Sequence, residues 1–110
     1  MVNSSILLDI KKLLGIPKTD TEFDPDIIMY INSAFAMLSQ MGVSSYKTIS
    51  ISSEDDVWPS QITGELELVK MYVYFKVKMM FDPSTNSAIL SATKEQLIEL
   101  ECRIQAIVDL

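Results

Sequence analysis

Residues 63 to 81 read TGELELVKMYVYFKVKMMF. This stretch constrains the fold more than any other. From Leu66 to Phe81 it holds no glycine or proline and is apolar nearly all round. Its three lysines, Lys70, Lys76 and Lys78, point in different directions. A helix that is apolar on every side is buried on every side. The rest of the chain must therefore wrap around it, or a second subunit must cover part of it. Thr63 is a plausible cap, and Glu65 and Glu67 sit where the helix dipole favours negative charge.

Three further helices are predicted around this centre. SSILLDIKKLL, residues 4 to 14, carries Ile6, Ile10, Leu13 and Leu14 at helical spacing. Gly15 and Pro17 stop it. The second helix starts at Asp24-Pro25-Asp26. Asp24 is placed to cap it, and proline suits the first turn. Ile27, Ile31, Ala34, Phe35, Leu38 and Met41 form one stripe, and Gly42 caps the end. The last helix spans residues 87 to 109. Ile89, Leu90, Leu97, Leu100, Ile104, Ile107 and Val108 gather on one face, and Lys94, Glu95, Glu99, Arg103 and Asp109 take the other. Between the third and fourth helices, Asp82-Pro83 removes a donor and pushes Asp82 out of helical geometry. It reads as punctuation, with Ser84, Thr85, Asn86 and Ser87 all able to cap the next helix.

The insertion between the second and third long helices, residues 43 to 62, breaks the helical period. Thr48-Ile49-Ser50-Ile51-Ser52 alternates as a short half-buried strand does. Glu54-Asp55-Asp56 reads as an acidic turn, and Pro59 ends the segment. A small β-hairpin or an ordered projecting loop is expected. The expectation is a single all-α domain over residues 1–110, a small bundle of about four helices carrying this insertion. One domain fits a chain of 110 residues, and 48% apolar residues exclude a disordered one.

Composition narrows the chemistry. Histidine is absent, which removes the commonest general base and metal ligand. The single cysteine, Cys102, excludes an internal disulfide and fits a reducing compartment. With no histidine to activate it, packing is its default role. Asp20, Glu22, Asp24 and Asp26 alternate like the start of a calcium loop. Counted from Asp20, that loop needs glycine where Pro25 stands and glutamate where Ile31 stands. No catalytic, cofactor or metal residue is assigned, and no enzymatic activity is expected. A net charge of −6 also argues against gripping nucleic acid directly. No apolar stretch approaches the roughly 20 residues of a membrane helix, and residues 1 to 5 lack the features of a signal peptide.

What remains is surface for a partner. Tyr72, Phe75 and Met79 belong to a sticky third helix that four short helices cannot easily cover. Tyr46 and Trp58 are either core cover or anchors for a neighbour. Ile49 and Ile51 belong to the same insertion, and Glu54, Asp55 and Asp56 suit a basic partner surface. A small interaction or regulatory module binding one partner protein fits these features as an alternative.

The order of signals resembles the head–tail connector proteins of tailed bacteriophages, especially those of Gram-positive hosts and their prophages. The resemblance rests on Ile6-Leu7-Leu8 with Leu14-Gly15-Ile16, Phe23-Asp24 before Ile27-Ile28, and Tyr30-Ile31-Asn32-Ser33. It continues through Leu38 with Met41-Gly42-Val43, Trp58, Tyr72-Val73-Tyr74 with Lys76, Phe81-Asp82-Pro83, and Glu99-Leu100-Glu101 with Arg103. Ser84 stands where the family often has a second proline, and Cys102 where tryptophan is common. The resemblance implies a virion protein, made in the host cytoplasm, with no cofactor. It forms a homo-oligomeric ring between the portal protein and a tail-side connector or head-closure protein. DNA passes through this ring without sequence-specific binding, and an acidic lining would not trap it.

Overall fold

The computed structural model describes residues 4–42, 50–58, 66–81 and 86–108. Four helices follow one another: α1 (Ile6–Leu14), α2 (Asp24–Gln40), α3 (Leu66–Phe81) and α4 (Ser87–Val108). Among the described residues there is no strand, so the all-α expectation holds. Tyr46, Ile49, Pro59, Thr63, Glu65, the Asp82-Pro83 turn and Asp109 lie outside the described residues.

The helix ends show how local chemistry sets the boundaries. Ser5 Oγ accepts from the Leu8 N–H at 3.3 Å and caps α1. Gly15, at φ 81°, ends it. Its N–H donates to the Lys12 carbonyl at 3.2 Å, and the Ile16 N–H donates to that of Lys11 at 2.9 Å. This closing pattern needs a left-handed residue, which glycine adopts without strain. Asn86 caps α4, its Oδ1 accepting from the N–H groups of Ala88 and Ile89 at 2.9 and 3.2 Å. The cap expected of Asp24 does not form. Phe23 holds the cap position of α2, and no side chain bonds there. Asp24 instead pairs with the Lys11 ammonium at 2.9 Å. A buried cation without a counter-charge is costlier than an uncapped helix end.

α3 is the centre of the bundle. Val69, Tyr72, Val73 and Val77 are fully buried. α2 packs against it most extensively with Ile27, Ile31, Ala34, Phe35 and Leu38. α1 adds Ile6, Leu7 and Ile10, and α4 adds Leu97, Leu100 and Ile104. Phe23 and Phe81 meet edge to face at 5.4 Å, tying the start of α2 to the end of α3. α4 lies along α3 and makes no close helix packing with α1 or α2. Two expected core residues are therefore outside: Leu13 is 52% and Ile89 54% exposed. Leu7 takes the place expected of Leu13. Among the described helices, α4 packs on α3 alone, and Ile89 lies off that contact. The side chains of Ile107 and Val108 lie outside the described set.

The inserted segment is neither a hairpin nor a projection over its described residues, 50–58. Its one bridge is antiparallel, between Ser5 and Val57. The Ile6 N–H donates to Asp56 O at 3.0 Å, and the Trp58 N–H to Ser4 O at 3.2 Å. Asn32 on α2 takes the part of a strand partner. Its amide donates to Ile51 O at 3.0 Å and accepts from the Ile51 N–H at 2.7 Å. Ile51 and Trp58 are thereby sunk into the core. Burying two large apolar side chains contributes about 1.5–3 kcal/mol each, and exposure on a projection would forfeit it. Glu54 and Asp55 form the expected acidic turn beyond the buried Ile51.

Candidate protein interface

The residues singled out in the sequence divide into three groups. Ile51, Trp58 and Tyr72 are buried inside this chain and present no surface. The Trp58 ring meets Phe35 edge to face at 6.1 Å and carries the Lys70 ammonium 5.5 Å above its centre. Its indole N–H donates to Asp9 Oδ2 at 2.8 Å. The Tyr72 hydroxyl is buried without a hydrogen-bond partner among the described residues. Burial, with the Glu101 charge adding to it, pushes its pKa up to about 12.

Glu54 and Asp55 form the second group and are exposed. Asp56 turns back instead, accepting from the Ser52 and Ser53 N–H groups at 2.8 and 3.2 Å. Those backbone bonds hold its carboxyl below the ordinary 3.8. The third group, Phe75 and Met79, lies partly buried on α3.

Phe75 belongs to an uncovered apolar groove that the described residues form. Leu13 from α1 and Met71, Tyr74 and Phe75 from α3 line a groove of about 510 Å³. Met71 is 43% exposed. Tyr74 and Phe75 are tilted against each other with ring centres 5.2 Å apart. Asp9, Lys12, Glu67 and Lys70 edge the groove. Asp9 and Lys70 lie 3.7 Å apart, and Asp9 also accepts from Ser4 and Trp58. Lys12 on one rim and Glu67 on the other have no ion-pair partner among the described residues. The groove exists because α1 is only nine residues long and covers one side of α3. The apolar-all-round pattern of α3 announced uncovered surface, but Leu13 and Met71 were not marked as part of it.

α4 carries a second uncovered feature. Ile98 is 61% exposed, on the side turned away from Leu97, Leu100 and Ile104. Ser91, Glu95 and Cys102 share that side at helical spacing and are exposed as well. The expectation that Cys102 packs at the core boundary is thus corrected: its thiol is free and exposed. Lys94 and Glu95 stand one turn before Ile98, on either flank of it.

One buried charge escaped the sequence reading. Lys11 is 1% exposed. Its ammonium holds Asp24, the Asp20 carbonyl at 2.6 Å and the Lys18 carbonyl at 3.3 Å. The connection between α1 and α2 is thus organised around it. Among the described residues, no three acidic or cysteine side chains group to hold a metal ion. None of the described helices is long and apolar enough to cross a membrane.

Comparison with known proteins adds one positive finding. A family model described as "Phage connector protein" matches residues 6–109. No curated protein and no solved structure matches this chain.

Proposed function

The chain belongs to the phage connector protein family, and from that premise we propose that it assembles as a ring at the portal vertex. There it joins the DNA-filled head to the tail and extends the DNA channel. The observation that carries this reading is the family match, which runs through all four helices. Two uncovered apolar features, the α1–α3 groove and the outer side of α4, support it, because exposed apolar patches mark interfaces. The partners in this reading are further copies of the chain, the portal protein and a tail-side connector or head-closure protein, in a phage or prophage of Gram-positive type. The role is structural and involves no catalysis. The acidic charge of −6 suits a channel through which DNA passes unbound.

Deleting the gene from its phage and imaging the lysate by electron microscopy tests this. DNA-filled or leaking heads beside separate, complete tails are expected. Normal infectious particles would remove the joining role and leave the alternative, a module serving one partner protein.

A further inference from the structure

We propose that the outer side of α4 in one copy, centred on Ile98, docks into the α1–α3 groove of a second copy. The proposal rests on the ring reading and names its subunit contact.

A ring built from one kind of subunit uses a head-to-tail interface, in which two unlike patches of the same chain meet. The described surface offers such a pair. The groove is concave, apolar at Leu13, Met71, Tyr74 and Phe75, and bounded by two helices. α4 is a 22-residue helix whose outer side carries one large apolar residue among small and polar ones. A helix laid into an apolar groove is a recurring mode of recognition, with one or a few anchors entering the groove. Ile98 is such an anchor: at 61% exposed it is the most exposed large apolar residue among those described.

Charge selects the pairing and its direction. The groove has a positive rim, Lys12, and a negative rim, Glu67, neither ion-paired among the described residues. Ile98 is flanked one turn earlier by Lys94 and Glu95, neither ion-paired among the described residues. Glu99, the next carboxylate, is already held by Arg103 at 2.6 Å. In one orientation Glu95 meets Lys12 while Lys94 meets Glu67. In the reverse orientation like charges meet on both rims, which is unfavourable. This contact is electrically neutral, so an acidic chain can form it without bringing together its excess charge.

The natural Cys102, on the docking side of α4, supplies the probe. In full-length protein, Met71→Cys places a second thiol in the groove. Treatment with a short bis-maleimide should give a ladder of covalent multimers. Cys102→Ser should abolish the ladder, and Ser33→Cys, on the exposed outer side of α2, should not produce it. Ile98→Asp should remove multimers seen by size-exclusion chromatography and electron microscopy while leaving the helical circular dichroism unchanged. Lys12→Glu should weaken assembly, and Glu95→Lys added to it should restore assembly. Rings that persist with Ile98→Asp and show no Met71–Cys102 cross-link overturn this docking and leave the ring reading intact. A Met71→Cys variant that cross-links to the portal protein instead assigns the groove to that partner and also overturns it. A protein that stays monomeric at every concentration, and on portal-bearing heads, overturns both readings.

Discussion

The indole N–H of Trp58 donates to Asp9 Oδ2 at 2.8 Å, across 49 positions of sequence. One carboxylate on α1 thus fixes the inserted segment to the bundle, and it also takes a bond from Ser4 and faces Lys70. Asp9→Ala removes a charged acceptor from a buried indole. The expected loss is about 2 kcal/mol, read from urea unfolding followed by the fluorescence of this single tryptophan. A change within about 0.5 kcal/mol, the range of ordinary surface substitutions, would mean that apolar packing, the Asn32 amide and the backbone bonds hold the segment without Asp9.

Lys11 and Asp24 make the corresponding prediction for the α1–α2 connection. Lys11→Met keeps the stem but strips a carboxylate and two carbonyls of their shared cation. Breaking a buried pair costs about 3–5 kcal/mol. Asp24 retains 22% exposure of its side chain, so about 3 kcal/mol is expected. Trypsin should also cut faster after Lys18, whose carbonyl the ammonium holds. Unchanged cleavage there would show that the connection is ordered by its own turns.

The Tyr72 hydroxyl is buried without a partner among the described residues, so Tyr72→Phe should stabilise the protein, by about 1 kcal/mol at neutral pH. The alkaline limb supplies a second readout. The pKa is raised in the folded state to about 12 from 10.0. Its contribution is therefore complete below pH 10 and is lost as pH rises towards 12. Unfolding measured at pH 9 and pH 11 should show a steeper loss for the natural protein than for the phenylalanine variant. Equal losses would mean that the hydroxyl ionises as readily in the folded protein as in the unfolded chain, and so is reached by water.

Asp56 makes the opposite pH prediction. Its folded pKa lies below 3.8 because the Ser52 and Ser53 N–H groups bond the carboxylate. The stabilisation is present above pH 3.8 and is lost as pH falls through the lower folded value. Asp56→Asn should destabilise the 50–58 segment at pH 6, seen as faster hydrogen exchange at Ser52 and Ser53. The difference between variant and natural protein should shrink below pH 3.8. A constant difference would point to packing rather than charge.

The sequence by itself determined the helices and most of their ends. Local rules suffice there: periodic apolar positions, Gly15 at a left-handed cap, and breaker residues between Phe81 and Ser87. It also narrowed α3 to two places, the centre of the bundle or a face shared with another subunit, since a helix apolar on all sides needs cover on all sides. Among the interface residues read from sequence, Phe75 falls on the uncovered groove. Only the tertiary structure decided which apolar residues are left outside. Leu13 and Leu7 are equally apolar, and the crossing of a nine-residue α1 over α3 buries one and exposes the other. The same holds for Ile51 and Trp58, drawn inward by Asn32 and Asp9 from distant parts of the chain. Such bonds depend on where helices place single polar atoms, and no periodicity encodes that. Ile98 shows the limit most plainly. Its neighbour Leu97 is 6% exposed while Ile98 is 61% exposed, because among the described helices α4 packs only on α3, and Leu97 faces it while Ile98 does not.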